Sequence, residues 1–185
     1  GVEDWTPACI TRGVEDALRR LRTDRVDVFF LHSCGRDVLQ RDGLIEALEA
    51  AVAAGKVRVA GYSGENEDLA WAVASGRFGA IECSVNLFDQ ASLDGTVAEA
   101  ARRGLGVVAK RPLGNAPWRF AERPVGDYAE AYWERMQALG LDPGPLGWDA
   151  LALRFAAFAP GVSTAIAGTG SVANLGRNVA IAEAG

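Results

Sequence analysis

The sequence is poor in what metal centres and disulfide frameworks are built from: it has one histidine and three cysteines in 185 residues. Cys9, Cys34 and Cys83 are odd in number and form no Cys-x-x-Cys pair. A disulfide framework is therefore not expected, and a reducing cytoplasm is. Neither a second histidine nor a nearby carboxylate pair accompanies His32, so metal ligation is not expected. Long apolar runs are missing as well: no segment reaches about 18 apolar residues without a charge, which excludes a transmembrane helix. Positive charge is in short supply, with 19 Lys and Arg against 24 Asp and Glu, a net charge of −5. That balance speaks against a nucleic acid or an anionic membrane as partner. The opening stretch GVEDWTPACITRGVEDALRR is acidic and then amphipathic, the opposite of a signal peptide. It begins with Gly1 rather than Met, which hints at a chain cut or started inside a longer protein.

What is present is the raw material of a packed domain. Hydrophobic residues make up 49% and charged ones 23% of the chain, which argues for one globular domain over 1–185 and against disorder. Amphipathic helical stretches alternate with short apolar, β-branched runs. Residues 7–22 place Ile10, Val14, Ala17, Leu18 and Leu21 on one face, with Pro7 suited to a first helical turn. Strands are expected at 26–31, 57–62, 80–83, 106–110 and 163–167. Helices are expected at 43–54, 67–74, 92–103, 127–139, 149–158 and 172–183. Strands apolar on both faces and joined by helices imply an α/β fold, a parallel sheet covered by helices. Residues 111–147 break the rhythm with five prolines and interleaved aromatics (Trp118, Phe120, Tyr128, Tyr132, Trp133). This reads as a long functional loop.

In such folds chemistry gathers at the carboxyl ends of the strands, and polar residues follow each run here. His32 ends VDVFFL; it is either a catalytic imidazole that works on a substrate oxygen near neutral pH or a histidine that merely ends a strand. Gly168-Thr169-Gly170-Ser171 precedes a helix. It is either an anion cradle, in the usual phosphate position after the last strand, or a tight turn with Ser171 as N-cap. Lys110-Arg111-Pro112-Leu113 is either a pyrophosphate contact or a solvated basic pair. Cys34 and Cys83 read as small buried hydrophobes.

These residues resemble the aldo-keto reductases, NAD(P)H-dependent oxidoreductases on an eight-stranded β/α barrel. DALRRLRTDRVDVFFLHS looks like their third helix and fourth strand, and AAGKVRVAGYSG like the entry to the fifth. SVNLFDQ, GLGVVAKRPLGNAPW and AIAGTGSVANLGRNVA are similar to the later strand ends. The match runs through the whole chain and corresponds to the last five β/α units of a (β/α)8 barrel, with the three N-terminal units absent. The resemblance implies that His32 orients and polarises a substrate carbonyl, and that Ser63 and Glu82 hold the nicotinamide carboxamide. It implies that Lys110, Pro112 and Leu113 lie near the pyrophosphate and ribose. Gly168, Thr169, Gly170 and Ser171 would line the adenosine phosphate site, with Asn174 and Asn178 near the adenine. The cofactor is NADP or NAD, NADPH being favoured, and the substrate a small carbonyl compound. Residues 114–147 resemble the family's variable substrate loop. Gly64 stands where members usually carry Asn, and Glu82 where Gln is usual. The family's catalytic Asp, Tyr and Lys have no counterpart here, because all three lie upstream of the position matching Gly1.

Two other readings stand beside an oxidoreductase: a non-catalytic nicotinamide-nucleotide-binding or regulatory remnant of a barrel, and another phosphate-binding barrel enzyme such as an isomerase or aldolase. Five β/α units cannot close an eight-stranded ring. The first and last strands are therefore expected to be open edges, through which the isolated chain can associate.

Overall fold

Thr6 starts the first helix by accepting a hydrogen bond from Cys9 N at 3.2 Å, and Pro7 fills the first turn, where its missing N–H costs nothing. This helix, α1 (Pro7–Leu21), ends at Arg22, which takes a left-handed conformation. Ile10, Val14 and Leu18 form its buried stripe, whereas Leu21, expected on the same face, is 65% exposed. The computed structural model describes residues 3–185.

The chain folds into two compact units, one reaching Glu82 and including Arg102–Gly106, the other made of Cys83–Ala101 and Val107–Gly185. In the first unit α1 is followed by β1 (Val26–His32), the short α2 (Arg36–Leu39), α3 (Leu44–Ala53), β2 (Val57–Ser63), α4 (Asn66–Ser75) and the start of β3 (Ala80–Ser84). β1 pairs in parallel with β2, and β2 in parallel with β3. Leu44, Ile45 and Leu48 of α3 and Leu69, Ala72 and Val73 of α4 are buried. β2 is largely buried, but in β1 only Leu31 is, and Val28 is 36% exposed. The expectation of strands covered on both faces thus holds for β2 and not for β1, which among the described residues has a strand neighbour on one side alone.

The second unit holds a π-helical turn (Leu93–Val97) running into all but the last residue of α5 (Ala98–Arg102), all but the first of β4 (Gly106–Lys110), and then α6 (Glu130–Leu139), α7 (Gly147–Phe158), β5 (Thr164–Ala165) and α8 (Val172–Glu183). The helix expected over 92–103 is regular only in its second half. Gly95, Thr96 and Val97 are poor helix formers, and the backbone widens there into the π turn. β4 and β5 are parallel. The strand expected at 163–167 is two residues long, yet Ser163 N and Ile166 N still donate to Val107 O and Ala109 O at 2.8 and 2.9 Å. Pairing therefore extends past the regular strand. α8 covers the expected span but buries none of its residues.

The stretch 111–147 is less a loop than a small helical layer. Leu87, Phe88, Tyr132, Met136 and Ala152 form its core. Trp118 and Trp148 stack against it with ring centroids 5.7 Å apart and planes 10° from parallel. Trp133 Nε1 donates to Phe120 O at 3.1 Å and Arg135 Nη1 to Phe88 O at 2.9 Å, so these two side chains keep hydrogen-bond partners as the layer packs. Most of the interleaved aromatics are therefore core. Among the described residues no helix is long and apolar enough to cross a membrane.

Candidate active site

Strand register brings three of the candidates in the first unit into one row. His32 pairs with Ser63 across β1 and β2, and Ser63 pairs with Glu82 across β2 and β3. His32 and Ser63 end their strands, and Glu82 lies two residues before the carboxyl end of β3. His32 is exposed, Ser63 buried and Glu82 half-buried. Ser63 Oγ donates to Glu82 Oε1 at 2.9 Å. The ladder continues one residue past the row, with Ser33 N donating to Ser63 O at 2.7 Å and Gly64 N to Glu82 O at 3.1 Å. Ser33 holds φ at 59°, a left-handed conformation that is uncommon outside glycine and turns the chain sharply away just after His32.

Gly64 has a steric cause. A Cβ there would lie 2.4 Å from Tyr62 Oη and 2.5 Å from the ring's Cε1, and no side chain fits. Tyr62 is locked in this place: it is 1% exposed and donates to Cys34 O at 2.7 Å. Burial pushes its phenol well above the ordinary range, with Cys34, Asp68 and Glu65 adding to the shift. The same burial raises the Cys34 thiol to about 11, against an opposing backbone hydrogen bond. Cys34 therefore stays protonated and, like the buried Cys83, acts as a small apolar side chain.

In the second unit the end of β4, the end of β5, the helix α8 and the 111–147 layer enclose a cleft of about 910 Å³. Lys110, Pro112 and Leu113 line it, as do Gly168, Thr169, Asn174 and Asn178. Gly170 and Ser171 are outside its wall. Thr169 Oγ1 accepts from Ser171 N at 3.1 Å, and Ser171 Oγ caps α8 by accepting from Asn174 N at 3.3 Å. The cleft also has residues that the motifs did not single out: Arg119, Asp127, Tyr128 and Asp149. For Arg119, Asp127 and Tyr128 the signal in the sequence was only the mixture of charges and aromatics in 111–147; Asp149 lies in the helix that follows. Arg111 and Arg177, each adjacent to a motif, line it too. Four cations thus face two carboxylates, one of which, Asp127, lies 3.8 Å from Arg119. Arg111 is held at φ 52° and donates to Ser84 Oγ at 2.8 Å. Lys110 is 9% exposed, so its charge sits where water screens it poorly.

Aldo-keto reductase AKR11C1 from Bacillus halodurans, in its holo form, is similar over 99% of this chain and 64% of its own, at 25% identity and a TM-score of 0.81. Its apo form gives 26% identity and a TM-score of 0.81, covering 97% and 64% of the two chains. A putative aldo-keto reductase from Pseudomonas aeruginosa is similar at 25% identity and a TM-score of 0.72, over 98% of this chain and 60% of its own. The chain therefore spans about three-fifths of the length of these structures. A comparison with curated proteins gave no match. The model of the aldo/keto reductase family matches residues 2–184, and the chain, an α/β fold with five parallel strands, belongs to that family.

Proposed function

We propose that this chain supplies the nicotinamide-dinucleotide cradle and the carbonyl-orienting histidine of an NAD(P)H-dependent oxidoreductase. The substrate is an aldehyde or ketone with some apolar surface, or the corresponding alcohol in the reverse direction. The row of His32 and Ser63 at the ends of their strands, with Glu82 paired beside Ser63 near the end of the next, carries this reading, because that edge is where β/α enzymes gather their chemistry.

The cleft of the second unit fits a dinucleotide in size and charge: about 910 Å³ is in the range of small-molecule sites. Lys110 and Arg111 face it as cations for a pyrophosphate, and the backbone at Gly168 and Thr169 leaves room for close approach. Arg177, bonded to Asn174 Oδ1, supports a preference for NADPH, since a guanidinium can pair with a 2′-phosphate. When bound, the nicotinamide supplies the hydride. His32 holds the carbonyl oxygen by a hydrogen bond. Ser63 commits its hydroxyl proton to Glu82, so toward a carboxamide this pair accepts from the NH₂ and does not donate to the oxygen. The uneven cysteine count supports a reducing compartment, the cytoplasm.

The five tryptophans make the test simple. Titration with NADPH and with NADH, read by tryptophan fluorescence, is expected to saturate, with NADPH the tighter of the two. Arg177→Ala is expected to bring the NADPH affinity down to that of NADH. The absence of saturable binding by either nucleotide would overturn the reading. The acceptor-only character of Ser63 and Glu82 also suits a non-catalytic nucleotide-binding module. Reduction of a test aldehyde by the protein would set that second reading aside.

A further inference from the structure

We infer that Tyr128 is a base-stacking residue of the cleft, packing its ring on the purine of the bound dinucleotide. This deepens the reading above and rests on it.

Tyr128 is 92% exposed, the highest value among the large apolar side chains described, and it stands on the wall of the cleft. Its neighbour in sequence and in type, Tyr132, is 8% exposed and packed in the core of the same layer. The layer therefore has an apolar interior for a tyrosine and leaves this one in water. An aromatic side chain left this exposed gives up the burial of about 150–250 Å² that such rings contribute when covered.

The ring nevertheless hangs from a fixed backbone. Asn115 Nδ2 donates to the Tyr128 carbonyl at 3.0 Å, and Asp127 Oδ1 accepts from Ala129 N at 2.8 Å. Asp127 N donates to Pro124 O and Glu130 N to Asp127 O, both at 3.0 Å. Glu130 closes the segment by accepting from Gly126 N and Arg123 Nε, each at 2.7 Å. Only the side-chain torsions of Tyr128 remain to be ordered on binding, which keeps the entropic cost of a stacked contact small.

The chemistry of the cleft selects the ligand. Lys110, Arg111 and Arg177 suit phosphates, and an exposed ring on the same wall suits a flat heterocycle. A plain carbonyl compound has no use for the cations, and inorganic phosphate has none for the ring. A phosphate-bearing flat heterocycle uses both, and with the carboxamide of the nicotinamide assigned to Ser63 and Glu82 the purine is the ring left for Tyr128. Stacking needs the face of the ring and not its hydroxyl, so phenylalanine is expected to serve as well as tyrosine.

The test compares three ligands by tryptophan fluorescence: NADPH, ADP-ribose, and reduced nicotinamide mononucleotide, which has no adenine. Tyr128→Ala is expected to weaken NADPH and ADP-ribose by about tenfold each and to leave the mononucleotide unchanged. Tyr128→Phe is expected to bind all three as the original does. Because the side chain is exposed, the melting curve of each variant should match the parent, and this separates stacking from folding. Affinities of Tyr128→Ala within twofold of the parent for both adenine ligands would overturn the inference, as would an equal loss for the mononucleotide. If the parent itself binds none of the three, the dinucleotide reading falls and the inference with it. That result is distinct from a parent that binds and a variant that binds equally well.

Discussion

In the unit containing β1 and β2, His32, Ser63 and Glu82 come together because three parallel strands are in register, and one Ser63–Glu82 hydrogen bond joins two of them. In the unit containing β4 and β5, the cleft is lined from the ends of β4 and β5, the α8 helix, residues 111–128 of the helical layer and Asp149 of α7. The two arrangements have different tolerances. A register site depends on backbone ladders that a side-chain change does not move, so it is altered mainly by changing a row residue or by forcing the strand end. A cleft built from capped turns and tethered loops can be altered one side chain at a time, with little effect on the frame. Such layers vary readily around a fixed strand edge, which is how β/α enzymes diversify.

The largest effect is expected where the register site is forced. Gly64→Ala drives a Cβ into the Tyr62 ring and should cost about 1–3 kcal/mol in urea unfolding, as overpacking does. The clash involves ring carbon as well as Oη, so Tyr62→Phe should not relieve it. In a double-mutant cycle, Tyr62→Val should make Gly64→Ala nearly free, although Tyr62→Val is itself costly. A Gly64→Ala protein as stable as the parent would show that the strand end yields, and the contrast between the units would lose its basis.

A smaller, local effect is expected in the second unit. Ser171→Ala removes the cap of α8 and should cost about 1 kcal/mol. Hydrogen exchange should quicken in the first turn of α8 and leave β1 and β2 protected. Loss of protection in both units would mean that the two sites do not respond independently.

The smallest effect compares one glutamate from each unit. In the first, hydrogen bonds from its own backbone N–H and from Arg77 lower the Glu46 pKa. In the second, the Gly126 N–H and then Arg123 lower that of Glu130. A carboxyl whose pKa is lower in the folded state contributes stability above its unfolded pKa and loses it as pH falls through the folded value. Glu46→Gln and Glu130→Gln should therefore each flatten the loss of stability below about pH 4.5 and change little at pH 7, as measured by melting temperature against pH. The Glu46 carboxylate is exposed and that of Glu130 half-buried, so 0.5 M salt should shrink the Glu46 effect more than the Glu130 one.

Much of this frame was legible in the residues. α8 covers Val172–Glu183 and β4 covers Gly106–Lys110 as expected, because each is bounded by strong local signals: Ser171 as a cap, and Gly104 followed by a β-branched pair. The strand-end position of His32 followed from the apolar run before it. The π turn at Leu93–Val97 and the four-residue α2 escaped the reading, since periodicity over so few residues carries no signal. The aromatics of 111–147 were visible, but their division into core rings such as Tyr132 and an exposed one at Tyr128 was not.

Local chemistry by itself determined the order of the main helices and strands and which polar groups would follow each strand, because caps, glycines and apolar spacing act within a few residues of one another. Only the tertiary structure decided that Glu82 accepts the proton of Ser63 and that Gly64 has no room for a side chain. It also decided that Arg119, Asp127 and Tyr128 line the same cleft as Lys110. Those facts depend on strand register and on packing between residues distant in the chain, and no spacing along the sequence encodes them.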